Sequence, residues 1–90
     1  MSENGMREHH KVLFANLVMM LSTSAMQHLG KLTNPASGIV ETDLDSAQVI
    51  IDTLDMLQTR SAATLEQSEA DMLRDVISSL RQNHVESALA

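Results

Sequence analysis

The 90-residue chain has no cysteine, tryptophan or tyrosine, one phenylalanine, one proline and three glycines. Without cysteine there is no disulfide framework, no thiolate metal site and no thiol nucleophile, and the redox compartment is unmarked. Phe14 is the sole aromatic residue, so the ring platforms on which single-stranded nucleic acid or sugars stack are missing. Cations are also scarce. Six Lys and Arg stand against twelve Asp and Glu, a net charge of -6, which repels phosphate backbones and anionic lipid surfaces rather than attracting them. Neither nucleic acid nor membrane is an expected partner. There is no internal repeat, no low-complexity tract and no heptad pattern long enough for an extended coiled coil. One domain over residues 1–90 is expected, with 1–8 a flexible N-terminus and 86–90 a frayed C-terminus.

What the chain does contain is 43% hydrophobic residues in helical spacing. The periodicity predicts an all-α, three-helix domain over about His10–Leu29, Asp43–Arg60 and Glu66–Val85. The first helix is apolar around most of its circumference, with Leu13, Leu17, Met20 and Leu21 on one side and Val12, Met19 and Met26 on the other. Only a narrow strip with Asn16, Thr23 and Gln27 is polar. Gly30 suits a left-handed cap at its end, and Asn34-Pro35 with Ser37-Gly38 supplies turn chemistry for the connection that follows. The second helix takes Asp43 or Thr42 as N-cap and buries Leu44, Ala47, Ile50, Ile51, Leu54 and Leu57. On its other side Val49 and Met56, seven residues apart, are either incidental surface or a contact with a neighbouring subunit. The third helix starts at Glu66 or Ser68, with Ser68 and Asp71 approximating a capping box, and buries Leu73, Val76, Ile77 and Leu80.

The uncharged run from Val12 to Leu29 approaches the length of a membrane span, but Asn16, Ser22, Thr23, Ser24, Gln27 and His28 interrupt it. Arg7 and Lys11 ahead of the apolar run, with small residues ending at Ala25, outline a signal peptide that Glu3, Glu8 and Asn16 spoil. A cytoplasmic location is expected; export through residues 1–25 is the alternative.

In order and spacing, Leu21-Ser22-Thr23, Ala25, His28-Leu29-Gly30, the turn with Pro35 and Gly38, Asp43-Leu44 with Ala47, Ile51-Asp52-x-Leu54 and Leu80-Arg81 resemble the bacterial domain of unknown function 1844. The chain departs from that pattern at Ser24, where glutamine is usual, and at Arg60-Ser61-Ala62-Ala63-Thr64-Leu65, which replaces a Lys-Thr-Lys-Gly-Asn-Leu-like segment. The resemblance implies a small, helical, cytoplasmic bacterial protein, and carries no catalytic residue or cofactor with it.

Candidate chemistry is thin. His9 and His10 diverge by about 100° on a helix and cannot share a metal, and no Glu-x-x-His pair of the kind used by di-metal bundles occurs. His84 falls in the stripe of Leu73, Ile77 and Leu80, either as a buried pH-sensitive group or, like His28, as a favourable charge at a helix end. Asp43, Asp45, Asp52 and Asp55 fall on the solvated arc of helix two, where carboxylates lack the burial that general acid–base work requires. Ser22, Thr23 and Ser24 have no identifiable base beside them. No catalytic, cofactor or metal site is expected, and the chain reads as a non-enzyme.

Association is the expected function. Two helices with one apolar face each cover only part of a first helix that is apolar nearly all round, so the remainder calls for another chain. The expected interface comprises Leu13, Asn16, Leu17, Met19, Met20, Thr23, Met26 and Gln27, with Val49 and Met56 as a second patch. The partner is a second copy in a homodimer or higher oligomer, or else another protein's amphipathic helix repacking the methionines. Asn16, Thr23 and Gln27 either fix register or face water. The alternative function is a bundle that binds a small ligand or metal.

Overall fold

A computed structural model describes residues 2–90, and among them it is all-α: α1 Glu3–His28, α2 Leu44–Ser61 and α3 Gln67–Leu89. The first helix starts seven residues before the expected position, so residues 3–8 lie within α1 rather than outside it. The Ser2 hydroxyl accepts from Gly5 N–H at 3.1 Å and Glu3 sits in the first turn, where its charge complements the helix dipole. A polar cap and a dipole partner thus extend the helix into a segment with little apolar periodicity.

At its other end α1 closes on Gly30. Lys31 N–H bonds Met26 C=O at 2.9 Å and Gly30 N–H bonds Gln27 C=O at 3.0 Å, with Gly30 at φ +75°; this is the paired closure that requires a left-handed residue. The connection folds on Asn34, whose side chain accepts from Ala36 N–H at 2.9 Å while its backbone bonds Ile39 C=O and Gly38 N–H. It returns through a bridge between Leu29 and Thr42 to Asp43, whose N–H bonds His28 C=O at 2.7 Å. Asp43 is the N-cap of α2, accepting from Ser46 N–H at 3.1 Å and Ser46 Oγ at 2.7 Å.

The second connection needs no glycine. Thr64 N–H, Leu65 N–H and Thr64 Oγ1 all converge on Ser61 C=O at 2.9–3.1 Å, and no residue there has positive φ. The N-terminal box of α3 uses Glu66 and Glu69, not Ser68 and Asp71: Glu66 N–H bonds Glu69 Oε1 at 2.9 Å. The third helix also runs past Val85, where its end is expected, to Leu89. Ser87 Oγ donates to Leu29 C=O at 2.8 Å and Glu86 approaches Lys31 at 3.6 Å, so tertiary ties carry α3 to Leu89 where the apolar stripe has ended.

These contacts fix an up-down-up arrangement. The end of α1 meets the start of α2 and the end of α3, while Lys11 meets Glu66 at the start of α3. The first two turns of α1 therefore project past the other helices. Each helix region contributes three residues to the core: Val18, Ala25 and Leu29; Ala47, Ile51 and Leu54; Leu73, Ile77 and Leu80. The result is long and thin, 48 × 25 × 16 Å, with a radius of gyration of 14.7 Å against about 12 Å for a compact domain of this length.

Candidate functional site

The core-facing residues of α1, Phe14, Val18, Leu21, Ala25 and Leu29, share one side of the helix. On the opposite side the side chains stand in solvent: Leu13 is 50% exposed, Leu17 42%, Met19 53% and Met20 70%. Asn16 and Thr23 are exposed between them. Met26 and Gln27 are only half exposed, and Met26 packs on the edge of the core rather than joining the free face fully. Two residues outside the expected set extend the surface: Val12, 57% exposed, and Met6, 42% exposed. Met6 escapes a reading of periodicity because the apolar repeat that marks the helix begins only after it.

Asn16, Met19, Met20, Thr23, Ser24 and Gln27 line a shallow trough along this face. From Val12 to Gln27 the face carries no Asp, Glu, Lys or Arg, although the chain as a whole is strongly acidic. Val49 and Met56 are exposed on α2, half a turn of the helix away from Ala47, Ile51 and Leu54. They form a separate patch on a different helix, with Thr53 between them donating to Val49 C=O at 2.8 Å.

Several charged and polar groups are engaged in holding helices. Asp52 accepts from Gln48 at 2.9 Å and Asp55 lies 3.4 Å from Arg81. Hydrogen bonds from Ser46 hold the Asp43 carboxyl below its ordinary range. The 2.8 Å pair between Lys11 and Glu66 raises the lysine and lowers the carboxyl, both through hydrogen bonding and charge. His84 is half-buried with Nε2 3.3 Å from Leu44 C=O, linking the end of α3 to the start of α2. His28 lines a surface recess with Asn34, Glu41 and Asp43. A corner about 750 Å³ in volume lies between the projecting turns of α1 and the α2–α3 connection, lined by Arg7, His10, Phe14, Leu65 and three glutamates.

Among the described residues, no polar side chain is buried and no group of three or more His, Asp or Glu could hold a metal ion. No helix among them is long and apolar enough to cross a membrane. The sequence model of the family described as Domain of unknown function (DUF1844) matches residues 11–86. No curated protein and no solved structure matches the chain.

Proposed function

The chain belongs to the DUF1844 family, and from that premise we propose that it is a non-catalytic interaction module that assembles with copies of itself through the exposed face of α1. The observation that carries this reading is the uncharged surface on the side of α1 turned away from its own core, where Leu13, Leu17, Met19 and Met20 are exposed around Asn16 and Thr23. Monomeric proteins seldom leave large contiguous apolar patches in water, since burying such surface is worth roughly 25 cal/mol per Å². The total accessible surface, 5932 Å² for 9.9 kDa, exceeds the roughly 5200 Å² typical of a compact monomer of that mass.

The partner is a second copy, and Val49 and Met56 on α2 offer a secondary contact in assemblies larger than a dimer. A cytoplasmic, bacterial setting goes with this reading, in which Val18 and Ala25 of α1 serve as part of the core.

Sedimentation of the untagged protein tests it. The wild type sediments at a multiple of 9.9 kDa, and Met20→Glu, which places a charge at the most exposed methionine of the face, returns it to monomer with its circular-dichroism helicity unchanged. A wild type that stays monomeric at all concentrations, or a Met20→Glu variant that assembles as before, removes the proposal.

A further inference from the structure

Because α1 begins at Glu3, its exposed side carries two interleaved seven-residue series: Met6, Leu13, Met20 and Gln27, and three residues after each of the first three, His9, Asn16 and Thr23. Residues seven apart in an α-helix return to nearly the same direction, so the two series lie along one strip of α1 at the spacing of the two seam positions of a coiled coil. Gln27 is half exposed and the other six are exposed, on the side of α1 opposite Val18 and Ala25. The seam is sorted by chemistry. The first series is apolar over its first three positions, and the second is polar throughout.

That sorting bears on orientation. When two helices pack in parallel and in register, each seam position meets the same position of the partner. When they pack antiparallel, positions of the first series meet positions of the second. Parallel pairing puts Leu13 on Leu13 and Met20 on Met20, and puts Asn16 on Asn16 and Thr23 on Thr23, where amide and hydroxyl groups supply both donor and acceptor. Antiparallel pairing sets the polar second series against the first, whose first three positions are apolar, so polar side chains face apolar ones and hydrogen-bonding groups lose partners at the cost that burial imposes.

The flanking positions agree. In a parallel pair Val12 of one helix lies beside Leu17 of the other, and Met19 beside Ser24; none is charged. Coiled coils that select a foreign partner use opposite charges at these positions. Here there are none, and two chains of net charge -6 can approach along a strip that carries no like charges.

We infer that two copies of the chain pair along α1 in parallel and in register, with Asn16 and Thr23 stacked on their own counterparts as the polar layers that set the alignment. This rests on the proposed self-association through α1 and adds its geometry.

The absence of native cysteine makes the test clean. Leu13→Cys and Gln27→Cys are made separately in the full chain and oxidised with diamide, and their masses are read on a non-reducing gel. A disulfide requires Cα atoms within about 7 Å. Parallel in-register pairing brings both positions close to their counterparts, so both variants become covalent dimers of doubled mass. In any antiparallel register at least one of the two like pairs is separated by about 21 Å or more along the axis, from 1.5 Å of rise per residue. A non-covalent dimer in which only one variant cross-links, or neither does, overturns the parallel arrangement while leaving self-association intact. A wild type that sediments as a monomer overturns both. Unchanged helicity of each variant before oxidation shows that the fold has not been lost.

Discussion

Gly30 and Gly38 share a backbone conformation but not a surrounding. Both lie at positive φ, +75° and +73°, where a side chain meets the backbone and costs an L-residue roughly 1–2 kcal/mol. At Gly38 nothing else is within 4 Å of an added Cβ, whereas at Gly30 that atom would fall 2.5 Å from Thr42 Oγ1. Gly38→Ala is therefore expected to lose about 1 kcal/mol of stability from conformation alone. Gly30→Ala is expected to lose more, because Thr42 must also turn away beside the bridge that joins Leu29 to Thr42. Urea denaturation of the two variants, with Thr42→Ala added to the Gly30→Ala chain, separates the contributions: the second change recovers part of the loss only if the contact with Thr42 matters. Equal losses at the two glycines would show that it does not.

At the scale of the helix, what is legible in the sequence depends on what makes each segment helical. The middle of every helix is held by apolar residues at helical spacing, so Ala47, Ile51 and Leu54 or Leu73, Ile77 and Leu80 are recognisable as core from their periodicity alone. The ends are held by other forces. Residues 3–11 carry charge, Asn4 and Gly5 with little apolar repetition, and their helicity rests on the Ser2 cap and the dipole. The last turns of α3 depend on Ser87 reaching Leu29, 58 residues away in sequence, which no local pattern announces. The same limit applies to the candidate surface: an apolar circumference marks α1 as over-supplied with hydrophobic residues, but only packing decides that Leu21 and Met26 turn toward the core while Leu13 and Met20 do not. This contrast is measurable. Leu73→Ala, at a fully buried position, is expected to cost about 2–5 kcal/mol of unfolding free energy. Ser87→Ala removes one part-buried hydrogen bond and is expected to cost about 1 kcal/mol. Amide hydrogen exchange of α3 locates the second effect: exchange should accelerate after Val85 and stay slow around Leu73. Acceleration spread evenly along α3 would mean that the Ser87 contact does not hold the end separately.

At the scale of the whole molecule, the free face of α1 is set apart from the charge. All six excess negative charges lie outside the stretch from Val12 to Gln27, and the free face of α1 runs along a molecule 48 Å long. In the proposed assembly, two such chains repel through their net charge while attracting through an uncharged contact. Salt therefore acts in a definite direction. Raising ionic strength from about 0.02 M to about 0.5 M shortens the Debye length from roughly 20 Å to roughly 4 Å, which removes the repulsion between protomers and leaves the apolar contact with nothing to lose by screening. Self-association is expected to tighten by several-fold over that range, as read from sedimentation equilibrium. An interface built on ion pairs would weaken under the same change, because its attraction is what salt screens. The sign of the salt dependence thus separates the two kinds of contact: tightening is the outcome for an uncharged surface such as the free face of α1, and loosening would place the contact on charged surfaces instead.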